Sequence, residues 1–205
     1  MKISEGVKLV GSKVDIPDCN REDLPGFFVE MGYKIGAEIG TSNGVFAEKF
    51  GKAGLELICV DPWLDYPDYS RGDAKWQRDL DGQFEKTREL LSPYNCRLIR
   101  KKSMDALADI EDESLDFVYI DGNHEFLYTL NDIHEWSKKV KQGGVISGHD
   151  YFHSNPHGFE IIKVKEAVDV YVKIYNIKPL YILGRKEKIE GEKRDNFRSF
   201  MWFKK

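Results

Sequence analysis

The sequence predicts an α/β three-layer sandwich: a mostly parallel seven-stranded sheet with an antiparallel C-terminal edge strand. Apolar strand-like runs alternate with amphipathic helical stretches five times, the pattern of a parallel sheet covered on both faces. Two further strand-like runs close the chain with no helical pattern between them, which makes that last pair antiparallel. The third observation is size. A chain of 205 residues, 41% hydrophobic and 32% charged, suits one globular domain over residues 1–205 with a sizeable core.

The elements follow in order. Leu24, Phe27, Phe28 and Met31 recur at helical spacing after Asn20, a side chain suited to an N-cap. A short helix is therefore expected within an N-terminal extension of residues 1–33. "YKIGAEIG" is the first strand, after which Asn43 or Ser42 caps a helix whose Phe46 and Phe50 share a face and which Gly51 ends. "LELICVD" is the second strand. The aromatic, proline-punctuated loop "PWLDYPDYSR" then leads into a helix with Trp76, Leu80 and Phe84 on one face, running to about Leu91. "CRLIRKK" and "LDFVYID" are the third and fourth strands. Phe126, Leu130, Ile133, Trp136 and Val140 mark a long helix, and "KQGG" reads as its glycine C-cap. "GVISGHD" is the fifth strand. Ile161, Val164, Val168, Val172 and Tyr175 trace one more helix, stopped before Pro179; "PLYILGR" and "SFMWFKK" close the sheet around a charged loop.

Composition narrows the function. A formal net charge of −4 supplies no electrostatic reason to expect nucleic acid as a partner. Cys19, Cys59 and Cys96 are odd in number and scattered, which suits free thiols in a reducing compartment and neither a disulfide framework nor a zinc knuckle. The N-terminal "MKISEGVKLV" has no long apolar segment, and no apolar run approaches membrane-spanning length. A cytoplasmic chain without a membrane partner is expected.

Ligands of such sheets bind beyond the carboxyl ends of the strands, near the point where strand order reverses. Here those ends read Glu38-Ile39-Gly40, Asp61, Ser103, Asp121 and His149-Asp150. Carboxylates ending that many strands are costly unless they face solvent or a ligand. Asp61 stands about 20 residues beyond the glycine loop, where a carboxylate accepts hydrogen bonds from both ribose hydroxyls of a nucleoside. The alternative is an ordinary loop-starting Asp before Pro62. The loop itself carries Gly36, Gly40 and Gly44, not the tighter spacing that brings a helix N-terminus to a pyrophosphate. Glu38 would repel phosphate there and attract a cationic end. S-adenosylmethionine has an amino acid moiety, a sulfonium and an adenosine, and no phosphate.

"E-I-G-x-x-x-G" at Glu38, Gly40 and Gly44 resembles the first motif of class I S-adenosylmethionine-dependent methyltransferases. The resemblance continues through "CVDPW", "SMDALADIEDESLDFVYIDGNHEF", "DIHEWSKKVKQGGVISGHDY" and the terminal strand pair, from about Arg21 to the end. It is most specific in the small stand-alone branch whose fourth strand ends "IDGxH" and whose fifth ends "GHDY". What it implies is a Rossmann-like fold with S-adenosylmethionine as cofactor. Glu38, Gly40, Thr41, Ser42, Asn43 and Gly44 would lie under its amino acid part, and Asp61, with Pro62, at the ribose. Ser103 and Met104 would edge the adenine, with Asp121, Gly122 and His124 near the sulfonium.

Methyl transfer is an in-line displacement at carbon, so the protein must hold the acceptor in line and remove its proton if it is a hydroxyl. Asp121, His124, His149 and Asp150 are the candidate catalytic residues, since imidazole beside carboxylate suits a base near neutral pH. The blander alternatives are that His124 only caps a helix or pairs with Asp121, and that His149 only orients Asp150. Asp121 and Asp150 also suit a divalent metal such as Mg²⁺, while His149 shifts preference toward a transition metal. Metal-dependent relatives resembled here often have Asp or Glu where this chain has His149. Trp63, Tyr66 and Tyr69 either stack on a ligand or pack their loop down. His153 and His157 read as loop residues.

The expected activity is O-methylation of a small-molecule or glycan acceptor. The alternatives are N-methylation of a small molecule and a nicotinamide-dependent oxidoreductase on a similar sheet. A second copy of the chain is admitted as a partner; nucleic acid is not expected.

Overall fold

Among the described residues the sheet contains eight strands: β1 (Lys13–Ile16), β2 (Ile35–Ile39), β3 (Glu56–Val60), β4 (Cys96–Ile99), β5 (Leu115–Ile120), β6 (Val140–Gly148), β7 (Leu180–Leu183) and β8 (Ser199–Phe203). The helices are α1 (Ile3–Gly6), α2 (Leu24–Glu30), α3 (Val45–Lys52), α4 (Lys75–Leu91), α5 (Ser103–Ala106), α6 (Phe126–Lys139) and α7 (Val164–Ile174). The computed structural model describes residues 1–64, 75–153, 162–186 and 197–205, with the backbone alone for 75–79. Tyr66, Tyr69, His157, Ile161, the side chain of Trp76 and most of the charged segment before β8 lie outside the described residues.

Strand order is β1-β7-β8-β6-β5-β2-β3-β4. β8 runs antiparallel to both β6 and β7, and every other pairing is parallel. The expected α/β sandwich with its antiparallel final pair is therefore present, with two corrections. An eighth strand, β1, comes from the segment read as an extension and pairs with β7. Its one alternation, Val14 and Ile16 buried against exposed Lys13 and Asp15, is too short to stand out as a period of two. β8 also lies between β6 and β7, two strands inside the edge position expected for it.

The sheet sorts its side chains by alternation. Ala37, Ile39, Ile58, Val60, Val118 and Ile120 face Ile133, Trp136, Val168 and Tyr171 of α6 and α7. Leu57, Cys59, Phe117 and Tyr119 face Phe27, Phe28, Ala47, Phe50 and Leu91 of α2, α3 and α4. Phe28 is stacked on Phe117 with ring centres 4.3 Å apart. Glu38 alternates with Ala37 and Ile39, so its carboxylate enters the second of these layers, beside the glycine loop.

Local starts and stops differ from expectation in several places, among them α3, which runs through Gly51 to Lys52. Asn20 caps as expected, accepting from the Glu22 N–H at 2.8 Å, but the element it opens is a single 3-10 turn, Arg21–Asp23, that runs into α2. The "KQGG" stretch is not a helix C-cap. α6 ends at Lys139 and β6 begins at once, with Leu115 paired to Val140 but Phe117 paired to Val145. The extra residues form a bulge, and Gly143 at φ +78° takes the left-handed turn inside it.

Candidate active site

The chain moves outward from β2 to β3 and β4, then returns to the other side of β2 with β5 and β6. The order therefore reverses between β2 and β5, and the strands open a crevice there. Backbone hydrogen bonds carry the ladder one residue beyond each strand. Gly40 N–H donates to the Val60 carbonyl at 2.8 Å, Asp121 N–H to Ile39 at 2.8 Å, and His149 N–H to Ile120 at 3.1 Å. Gly40, Asp61, Asp121 and His149 thus stand on one rim.

Gly40 has φ +91°, and a Cβ on it would lie 2.1 Å from the Asp121 carbonyl oxygen. Only glycine fits where the loop crosses the end of β5. Thr41 is buried behind it, and Ser42, at φ +51°, and Asn43 are exposed at the tip. Gly44, at φ +74°, rather than Asn43 or Ser42, occupies the N-cap position of α3; Asn43 Oδ1 accepts from the Val45 N–H at 3.2 Å from one residue upstream.

Glu38 is 2% exposed, and its Oε2 has no hydrogen-bond partner among the described residues. Burial, then the Asp121 charge, pushes its carboxyl well above the usual range, against the opposing Arg21 charge. A buried acid in this state is stabilised by any cationic group that arrives beside it.

Asp61 ties the loop to the next one. Its Oδ2 accepts from the Ser42 N–H at 2.9 Å and its Oδ1 from the Trp63 N–H at 2.8 Å. Burial raises its carboxyl above the ordinary value, opposed by those two backbone donors. Each oxygen retains a lone pair for a further donor. Pro62 is half-buried beside it. Trp63 is buried, sends its indole N–H to the Ser42 carbonyl at 2.8 Å, and meets the Phe84 ring edge-on at 5.0 Å. Trp63 is thus engaged in packing at the start of its loop.

On the other side of Gly40 lie the acids and imidazoles of β5 and β6. His124 Nε2 is 3.1 Å from Asp150 Oδ2 and 3.5 Å from Asp121 Oδ1. His149 Nδ1 is 3.3 Å from Asp150 Oδ1 and 3.9 Å from Asp121 Oδ1. Burial would raise the Asp150 carboxyl, but His149, by hydrogen bond and charge, together with the charges of His124 and Arg21, holds it below the usual range. Asp150 sits at φ +57°, a conformation that costs a non-glycine residue about 1–3 kcal/mol. His149 presents its ring to Phe197, 6.2 Å away and edge-on, and Phe197 stacks on Phe152 at 4.7 Å, making an aromatic wall beside the cluster. His153 is exposed beyond it.

One ligand atom each from Asp121, His124 and Asp150 lies within 4.8 Å of the others, a donor set that fits a divalent cation. This grouping adds His124 to the pair Asp121 and Asp150 named from sequence as candidate ligands. Two oxygens and one imidazole nitrogen place that set between Mg²⁺ and a transition metal in preference.

The third-strand residues are placed differently from one another. Met104 is exposed. Ser103 turns its hydroxyl to Asp132 of α6, to which it donates a hydrogen bond, and accepts one from the Trp136 indole at 2.7 Å. Gly122 lies against the same carboxyl, since a Cβ there would be 3.4 Å from Asp132 Oδ2. Asp132 is a participant the sequence reading missed, as is Arg21, whose Nη1 is 3.0 Å from Asp121 Oδ2. The only signal for Asp132 is a carboxylate between Thr129 and Trp136 on a buried helix face. Arg21 has none in its spacing, because the contact joins residues far apart in sequence.

Comparison with known proteins bears on the family and the fold. The family described as "Methyltransferase domain" matches residues 34–151. Among solved structures, a caffeoyl-CoA O-methyltransferase candidate of Staphylococcus aureus superposes with a TM-score of 0.62 at 12% identity, over 89% of this chain and 82% of that one. An O-methyltransferase of Bacillus cereus, solved in complex with SAH, gives 0.57 at 16% identity, over 90% and 80%. An uncharacterized protein, y4gI, of Sinorhizobium fredii is 37% identical over 65 residues, which are 32% of this chain and only 7% of that protein's length. Among the described residues no helix is long and apolar enough to cross a membrane.

Proposed function

The chain belongs to the methyltransferase domain family and has the fold of S-adenosylmethionine-dependent methyltransferases, and from that premise we propose that it methylates an oxygen of a small-molecule or glycan acceptor, with S-adenosylmethionine as donor. The bound donor supplies an electrophilic methyl group on a sulfonium that leaves readily. Everything else falls to the residues of this chain.

Glu38 and the crossing at Gly40 suit a ligand with a cationic amino acid end and no phosphate. Asp61 offers two oxygens to vicinal hydroxyls. The observation that carries the choice of oxygen is the His124–Asp150 pair at 3.1 Å, beside the loop. An amine acceptor needs no base to react, whereas a hydroxyl does. The Asp150 charge beside Nε2 favours the protonated His124 imidazole, so His124 would take the acceptor proton through Nδ1. His149 holds Asp150 from the other side. Phe152 and Phe197 give an acceptor ring an apolar face to lie on.

A divalent cation would be held by Asp121, His124 and Asp150, and would act as a Lewis acid that lowers the hydroxyl pKa. In that arrangement the imidazole is a ligand, and His149 is the neighbouring base.

The test is a screen of hydroxylated and amino acceptors with methyl-labelled S-adenosylmethionine, with and without chelator. Label transferred to hydroxyls supports the reading, label confined to amines replaces oxygen by nitrogen, and loss of turnover with chelator assigns the cluster to metal.

A further inference from the structure

We infer that Arg21 binds the carboxylate at the amino acid end of the methyl donor. This rests on the donor assignment above and adds a residue to it. Arg21 opens the turn Arg21–Asp23, whose place is fixed from both sides: Asn20 Oδ1 accepts from the Glu22 N–H at 2.8 Å, and Asp23 Oδ2 accepts from the Asn20 N–H at 2.9 Å. From there the guanidinium reaches the crevice. Its Nη1 is 3.0 Å from Asp121 Oδ2, and its central carbon is 5.2 Å from the centre of the Phe46 ring on α3. The cation is therefore bracketed by the end of β5 and by the helix that follows the glycine loop.

The charge pattern around it explains what it is for. The amino acid end of S-adenosylmethionine carries an ammonium and a carboxylate. Glu38, Asp121 and Asp61 line the loop and attract the first while repelling the second. A carboxylate can settle among three acids only if a cation meets it there. Arg100 is directed elsewhere: its Nη2 donates to the Trp63 carbonyl at 2.8 Å and pairs with Asp81, beyond the Asp61 loop. Arg21 pairs instead with Asp121, whose carbonyl oxygen lies against Gly40. Its side chain is 27% exposed, so a ligand in the crevice can touch it. A guanidinium presents five N–H donors in a planar fork, a geometry that can serve more than one carboxylate at once.

Titration calorimetry on the full chain separates the outcomes, using S-adenosylhomocysteine and its decarboxylated form as paired ligands. The wild-type chain is expected to bind the carboxylate-bearing form about tenfold or more tightly than the decarboxylated one. Arg21→Ala should erase that preference, with decarboxylated-ligand affinity kept within about twofold, and Arg21→Lys should restore part of it. Equal wild-type affinity for the two ligands would overturn the inference, and that measurement does not depend on how the variants fold. Arg21→Ala weakening both ligands alike would overturn it too, assigning the residue to the integrity of the crevice. A wild-type chain that binds neither ligand overturns the donor assignment itself, and this inference falls with it.

Discussion

The Ser103 hydroxyl donates to the Asp132 carboxyl while accepting from the Trp136 indole, so the residue opening α5 is held by two residues of α6. Burial lifts Asp132 to about 7, against the hydrogen bond from Ser103. Gly122 rests on the same carboxyl, which links the rim at β5 to the residue after β4.

A pH dependence follows, with a definite sign. The folded chain keeps a proton on Asp132 up to about 7, whereas the unfolded chain releases it near the ordinary Asp value of 3.8. Between those values the folded state binds more protons, so this contribution to stability is full at low pH and is lost as pH rises toward 7. Asp132→Asn should remove that slope. Denaturant midpoints from pH 4 to 8 for both proteins test it: an identical pH slope in the two would show that Asp132 does not titrate there.

Gly40→Ala should destabilise the fold by about 3 kcal/mol or more, since the new methyl meets the Asp121 carbonyl at 2.1 Å and the backbone is already left-handed. Urea unfolding measures this directly. A loss below about 1 kcal/mol would mean that β2 and β5 part easily at their ends.

Glu38→Ala should weaken S-adenosylhomocysteine binding by about tenfold while the chain stays folded, because the buried carboxylate is kept for an incoming cationic group. Unchanged affinity would remove the account of why an acid stands inside β2.

Asp150→Ala and His149→Ala should lower turnover by about 10²-fold or more and leave donor affinity within about threefold, the range expected when a general base loses its partner. Equal losses in turnover and donor affinity would reassign both residues to binding or folding.

Much of this was legible in the sequence because it depends on local order. Five alternations of strand and helix, and an acid or glycine at four of the five strand ends, place the rim without any knowledge of packing. Glu38 was readable because a carboxylate inside an apolar strand has few bland explanations. β1 was not, since four residues carry too little periodicity, and the slot of β8 between β6 and β7 is set by spatial return rather than chain order. The glycines of "KQGG" were misread because a bulge and a helix cap ask the same left-handed freedom of the residue. Arg21 was out of reach for a different reason: its contact with Asp121 spans 100 positions, and no spacing rule predicts such a pair.

The ligand of the glycine loop decides the function most directly. Calorimetry of the wild-type chain with S-adenosylhomocysteine and, separately, with NADH decides it. Binding of S-adenosylhomocysteine with a dissociation constant on the order of micromolar, and no heat with NADH, is the predicted result. Binding of NADH in its place would contradict it, because a pyrophosphate would then be accepted beside Glu38.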